Sequence, residues 1–197
     1  MANFKFFIQY DGTRYAGWQK QVDKSNTIQG KLEHILECMT GKEVTVIGSG
    51  RTDAGVHAKG QVANAHLDTT MTETEICRYV NEYLPEDIAV TTVTCASEMF
   101  HSRFHAVEKC YTYRVSVEEI PNVFNRRYVY AYGADPSLDV EAMRRAADAF
   151  WVNMIFRAFA ERKLRKNLQS EIFMKFPLKK WKTKSDLLIV ATDFYFI

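Results

Sequence analysis

Gly48-Ser49-Gly50-Arg51-Thr52-Asp53-Ala54-Gly55-Val56-His57-Ala58 is the stretch from which the rest of the chain can be read. Three glycines fall within eight positions, and Asp53 is the only carboxylate, with Arg51 two residues before it and His57 four after. Glycine admits positive φ and close backbone approach, so this run is a loop rather than a helix. The apolar segment Val44 to Ile47 leads into it and Gln61 to Leu67 leads out, both with strand character. A loop between two strands therefore presents Asp53. Composition alone leaves a phosphate cradle, a catalytic carboxylate and an ornate turn as readings. The cradle is the least attractive, because Asp53 would repel an anion and no Lys-Ser/Thr pair follows.

Outward from the loop, the first half of the chain reads as a regular unit. Phe4, Phe6, Ile8 and Tyr10 alternate with Lys5 and Gln9, a strand that Asp11-Gly12 ends. Tyr15, Gly17, Trp18 and Gln19 follow in a loop, with Trp18 as a core or loop anchor. Ile28, Leu32, Ile35, Leu36 and Met39 form one helical face, with Ser25 or Asn26 as the expected cap and Gly41 as the stop. Thr72 with Glu75 makes a capping box for a second helix whose stripe is Ile76, Tyr79, Val80 and Tyr83, ended by Pro85. Ile88 to Thr94 is the next strand. The sum is β-α-β-β-α-β, an α+β ferredoxin-like unit with an antiparallel sheet backed by two helices.

The second half begins in the same way. Tyr111, Tyr113, Val115 and Val117 alternate on a long strand, and Arg127 to Tyr132 reads as another after the turn at Pro121-Asn122. Pro136 and Ser137 open a helix with Met143, Ala146, Ala147 and Phe150 on its apolar face. Ile172 to Phe176 and Leu187 to Ala191 are the last strands, and no helix follows before Ile197. The expected domains are residues 1–101, carrying the Asp53 loop, and 102–197, a second and incomplete ferredoxin-like half.

Composition narrows the class. In 197 residues, 47% hydrophobic content with 25% charge describes a globular chain long enough for a real core. No signal peptide is recognisable at the start and no apolar run reaches membrane-spanning length. Cys38, Cys77, Cys95 and Cys110 make no C-x-x-C pair, which points to reduced thiols in a cytoplasmic protein rather than zinc or redox work. The net charge of +2 conceals an asymmetry: Arg157 to Lys184 holds ten Lys and Arg against Glu161 and Glu171, and the remainder of the chain sums to −6. Such a basic run suits phosphate contacts or a solvated surface. His101 and His105 are four apart, but in a loop-and-strand segment without H-E-x-x-H that spacing gives little reason to expect a metal.

Taken in order, Tyr10-Asp11-Gly12 with Tyr15, Gly17, Trp18 and Gln19, Thr27-Ile28-Gln29, Gly48 to Ala58, Leu84-Pro85, Phe100-His101-x-Arg103-Phe104 and Lys109-x-Tyr111-x-Tyr113 resemble the tRNA pseudouridine synthase A family. The resemblance runs from about Phe4 to Phe150. It implies two antiparallel sheets meeting at a central cleft, and conversion of uridine to pseudouridine at positions 38 to 40 of the tRNA anticodon arm. It also implies a homodimer that needs no cofactor and no metal, with the tRNA anticodon stem-loop as partner. Asp53 then stands where the family keeps its catalytic carboxylate, and Tyr111 where it keeps the aromatic that stacks on the base. Arg51 would help hold the flipped nucleotide, while His101 and Arg103 would contact RNA.

Beyond Phe150 the resemblance breaks. The family continues with Gly-x-His-Asp-Phe and later Gly-x-Gly-Phe-Leu, where this chain has Trp151-Val152-Asn153-Met154-Ile155 and Asp193-Phe194-Tyr195-Phe196-Ile197. Codons TGG GTG AAC ATG ATT TTT for Trp151 to Phe156 read, two bases on, as Gly-Glu-His-Asp-Phe, and GCG ACG GAT TTT TAT TTT for Ala191 to Phe196 read in the same way as Asp-Gly-Phe-Leu. The expectation is an insertion or deletion in the gene or its sequencing, followed by premature termination; the codons themselves decide it. Loss of the family's last helix, with its Arg partner to the catalytic Asp, makes a non-catalytic RNA-binding remnant the alternative expectation.

Overall fold

The computed structural model describes residues 1–22, 26–133, 138–149, 172–175, 178–180 and 186–195. The chain divides into two compact units, Met1–Ala106 and Val107–Ile197.

The first unit is built on β1 (Ala2–Tyr10), whose period-2 pattern sends Phe4, Phe6, Ile8 and Tyr10 into the core and Lys5, Phe7 and Gln9 to the other face. It is followed by α1 (Ile28–Thr40), β2 (Ile47–Gly48), β3 (Ala58–Leu67), α2 (Glu73–Tyr83) and β4 (Ile88–Cys95). The sheet order is β2-β3-β1-β4, with every pairing antiparallel. Ile28, Leu32, Ile35 and Leu36 of α1 and Ile76 and Val80 of α2 share one core with the inward strand residues. Full burial of each such side chain is worth about 1.5–3 kcal/mol.

Local chemistry sets the element ends. Thr27, not Ser25 or Asn26, caps α1: its side chain accepts from the Gly30 N–H, while Asn26 instead donates to the Arg14 carbonyl at 2.6 Å. Ser25 lies outside the described residues. Gly41 closes the helix, and the Thr72–Glu75 capping box opens α2. The strand before the Asp53 loop is shorter than Val44 to Ile47, because α1 side chains take up the backbone of Val46. Glu33 accepts its N–H at 3.1 Å and Gln29 donates to its carbonyl at 3.1 Å. Tyr83 is 58% exposed rather than part of the buried stripe, its ring lying 4.7 Å from that of Tyr79.

On the face of the sheet opposite the core, three buried polar side chains seat the segment after β4. Asn3 donates to the carbonyls of Ser97 and Phe100, both at 2.9 Å, and Asn64 donates to Asn3 Oδ1 at 3.1 Å. Asn64 Oδ1 accepts the Ser102 N–H at 2.9 Å, and Ser102 Oγ donates to the Ile47 carbonyl. Buried polar groups are tolerated only when satisfied in this way. Residues 97–105 are thereby fixed to the base of the β2–β3 hairpin.

The second unit contains β5 (Glu108–Ser116), β6 (Tyr130–Ala131), α3 (Val140–Ala149), β7 (Ile172–Lys175), β8 (Leu178–Lys180) and β9 (Asp186–Tyr195). Its sheet runs β6-β5-β9-β7, with β8 also paired to β9. Only Tyr130 and Ala131 of the expected Arg127 to Tyr132 strand join it, and they run parallel to β5, unlike the antiparallel pairs formed by β9. The intervening chain is taken up in turns at 122–128, where Asn122 accepts from Asn125 and Asn125 accepts from Tyr128. Pro136, Ser137, Phe150 and the divergent Trp151 to Ile155 lie outside the described residues. The basic run does too, apart from the backbone of β7 and β8. Among the described residues no helix is long and apolar enough to cross a membrane.

The Asn64 network yields a direct expectation. Asn64→Leu removes both partners' hydrogen bonds at one buried point and should destabilise the first unit by roughly 1–3 kcal/mol, read as a lower urea midpoint for the full chain.

Candidate active site

The loop from Ser49 to His57 hangs between β2 and β3 and is tied down on both sides of Asp53. Before Asp53, the Thr52 carbonyl accepts the Trp18 N–H at 2.9 Å and the Thr52 hydroxyl pairs with Tyr10 OH at 2.9 Å. Burial pushes the Tyr10 phenol up, so it serves as a neutral hydrogen-bonding group. After Asp53, the Gly55 N–H reaches the Tyr15 carbonyl at 3.3 Å, and the Val56 N–H closes a turn on the Asp53 carbonyl at 3.2 Å. At the loop's entry Gln61 donates to the Gly50 carbonyl at 2.8 Å and accepts from Ser49 Oγ at 2.7 Å.

At the exit, His57 Nδ1 lies 3.1 Å from the Gly12 N–H and 3.0 Å from Asp11 Oδ1. A lone pair serves the first contact and a ring proton the second, so the tautomer decides which of them is a hydrogen bond.

The strap that follows β1, residues 11–18, approaches the loop more closely than any side chain would allow. An added Cβ at Gly12 would lie 2.0 Å from the Val56 carbonyl oxygen. One at Gly17, where φ is +102°, would lie 2.6 Å from the Thr52 carbonyl oxygen. The Tyr10-Asp11-Gly12 and Gly17-Trp18 motifs are therefore the mould of the Asp53 loop. Trp18 is the buried anchor of this mould, 2% exposed.

Asp53 itself is exposed, as is Arg51. Among the described residues no hydrogen bond or ion pair engages either side chain. The backbone under Asp53 is held while its carboxylate faces outward, an arrangement that suits attack on, or charge stabilisation of, a bound group.

The other expected site residues fall in two places. His101 and Arg103 flank Ser102 on the segment seated against Ile47, so they lie on the hairpin that carries Asp53. His101 Nδ1 accepts from the Arg103 and Phe104 N–H groups at 3.3 and 3.4 Å, and His105 Nδ1 accepts the His101 N–H at 3.0 Å. Both imidazoles thus use Nδ1 to shape the turn, and the His101 ring stacks on Phe104 with centroids 4.1 Å apart. Arg103 is exposed. Tyr111 lies in the second unit on β5, opposite Ala191, and is 40% exposed; Tyr113 shares its side of the strand and is 65% exposed.

Sequence reasoning missed Thr52, Asn3, Asn64, Ser102 and Asp87 as structural partners of the loop and its neighbours. Asn64 alternates with the core-facing Ala63 and Ala65, so it lies on the other face of the sheet, and no local pattern marks it as buried there. Since Gly17 has positive φ and no room for a methyl, Gly17→Ala should destabilise the first unit by roughly 1–3 kcal/mol, measured by thermal unfolding against wild type.

Residues 7–105 match the family model described as tRNA pseudouridine synthase. Among curated proteins, the chain is 45% identical over 166 residues to tRNA pseudouridine synthase A of Bacillus sp. (strain KSM-64), covering 84% of this chain and 67% of the relative. It is 44% identical over 172 residues to tRNA pseudouridine synthase A 1 of Clostridium tetani (strain Massachusetts / E88), covering 87% and 69%. With tRNA pseudouridine synthase A 2 of Bacillus cereus (strain ZK / E33L) it shares 42% identity over 166 residues. The chain thus spans about two thirds of the length of these relatives. The family model covers the strap, the Asp53 loop and the seated 97–105 segment together, and on these matches the chain belongs to the tRNA pseudouridine synthase family.

Proposed function

We propose that this chain isomerises uridine to pseudouridine in tRNA, at positions 38 to 40 of the anticodon arm, with Asp53 as the catalytic carboxylate. The observation that carries this reading is the exposed Asp53 side chain on a backbone fixed at Thr52 and Gly55, with the His57 side chain set against Gly12 and Asp11. The reaction breaks the bond between ribose C1′ and uracil N1, turns the base, and joins C1′ to C5. The C5 proton leaves and N1 gains one, so the product is an isomer and no electrons are exchanged with a carrier. Asp53 acts either as a nucleophile or as the stabiliser of a developing sugar cation, and as the route by which the C5 proton departs. Each role requires an ionised carboxylate held within reach of the reacting atoms.

Reaching the uridine means taking it out of the stack, at a cost of a few kcal/mol. Stacking on an aromatic side chain returns roughly 1–3 kcal/mol per base, and Tyr111 supplies that face in this reading. Arg51 and Arg103, both exposed, and His101 through its Nε2 edge, contact the nucleotide and its backbone.

The architecture that goes with this function is two ferredoxin-like halves, residues 1–101 and 102–197, in a cytoplasmic homodimer acting on the anticodon stem-loop. The β2-β3-β1-β4 order of the first sheet, with helices after β1 and β3, supports that reading of the first half.

Incubation of the full chain with unmodified tRNA, followed by carbodiimide labelling of pseudouridine, tests the assignment. Wild type should give product, and Asp53→Asn should lower it by at least about 10³-fold, as loss of a nucleophilic or acid–base group does. Equal labelling by both would remove Asp53 from the chemistry. Retained tRNA binding without product from wild type would favour the non-catalytic RNA-binding reading.

A further inference from the structure

We propose that Asp87, on the turn between α2 and β4, is a positioning residue that holds Asp53 in place through the strap of residues 11–18. The inference rests on the reading of Asp53 as the catalytic carboxylate.

Asp87 directs its polar atoms into the strap. Its Oδ1 accepts from Tyr15 OH at 2.5 Å, its Oδ2 accepts from Arg14 Nε and Nη2 at 2.9 and 2.7 Å, and its carbonyl accepts the Asp11 N–H at 2.9 Å. The side chain is only 12% exposed, and Tyr15 is buried at 5%. Burial works against the Asp87 charge, but the hydrogen bonds from Tyr15 and Arg14 and the guanidinium charge outweigh it and hold the carboxyl below its ordinary range. Burial and the same carboxylate push the Tyr15 phenol up, so it remains a donor.

Three residues of the strap then pass this constraint on. Tyr15, gripped at its hydroxyl by Asp87, accepts the Gly55 N–H at its carbonyl. Asp11 and Gly12, fixed where the strap begins, meet His57. Asp53 sits between those contacts and the Trp18–Thr52 bond, so a strap released from Asp87 frees the loop on its C-terminal side while the Tyr10–Thr52 pair still holds the other. Asp87 itself makes no contact that would put it at a substrate, since its carboxylate is consumed by Arg14 and Tyr15. A displacement of about 1 Å in a reacting group can cost about 100-fold in rate.

The test uses the full chain as wild type, Asp87→Asn, Tyr15→Phe, the double variant and Asp53→Asn. Amide exchange followed by NMR reads the loop directly, whether or not the chain turns over. In Asp87→Asn the Gly12 and Gly55 amides should exchange about tenfold faster or more, while Phe6 and Ala65 in the sheet stay as protected as in wild type. Single-turnover pseudouridine formation should fall roughly 10- to 100-fold with tRNA affinity changed less than about twofold. The double variant should be no slower than Asp87→Asn alone, as expected for residues on one path. Unchanged exchange at Gly12 and Gly55 overturns the proposal whatever the activity, as does a rate loss that disappears under conditions where the variant is fully folded. Wild-type activity in Asp53→Asn would instead overturn the reading of Asp53, and the exchange data would still decide the role of Asp87.

Discussion

The exposed carboxylate of Asp53 depends on a backbone that cannot yield beneath it. A charged side chain in solvent gains little from neighbours and has every freedom to wander, so preorganisation has to come from the main chain. In this protein the main chain on either side of Asp53 is bonded to another stretch of main chain, the strap after β1. That contact is possible only because Gly12 and Gly17 leave no Cβ in the way. The Tyr10, Asp11 and Gly12 sequence, the Gly17-Trp18 pair and the Asp53 loop are three parts of one object.

The same logic of satisfied polar groups carries outward. Gln29 and Glu33 reach from α1 to the Val46 backbone, and Lys20 pairs with Glu33 at 3.0 Å, so the strap's far end is tied to the helix that the strap leads into. Asn3, Asn64 and Ser102 do the equivalent for the segment carrying His101 and Arg103. Asp87 does it for Tyr15 and Arg14. Gln29, Glu33, Asn3, Asn64, Ser102 and Asp87 are buried or nearly so, where an unpaired polar group would cost about 1–3 kcal/mol. The unit around Asp53 therefore spends its buried polar residues on holding loops rather than on strengthening its core.

Much of the first unit was legible because its signals are local. Alternation in Phe4 to Tyr10, the α1 face from Ile28 to Leu36, the Thr72–Glu75 box and the stop at Gly41 each involve residues a few positions apart, within reach of a periodicity argument. The contacts that shape the site are not local. Tyr15 and Asp87 are 72 residues apart in sequence, and Asn64 and Ser102 are 38 apart, so no local pattern announces them. Thr27 displaced Asn26 as the cap because Asn26 had a better use at the Arg14 carbonyl, a tertiary preference invisible in propensity. Tyr83 falls on the helical stripe, yet it is the last residue of α2 and stands outside the core. The parallel β5–β6 pair was likewise beyond reach, since strand partners are chosen by the sheet and not by the strand.

The role proposed for Asp53 is to lower the barrier to moving the glycosidic bond from N1 to C5, a change that must expel the C5 hydrogen. Release of tritium from tRNA labelled at uridine C5 reports that event alone, without dependence on how the product is detected. The full chain should release one tritium for each pseudouridine formed, and Asp53→Asn should lose that release with tRNA still bound. Release that persists undiminished in Asp53→Asn would contradict that role.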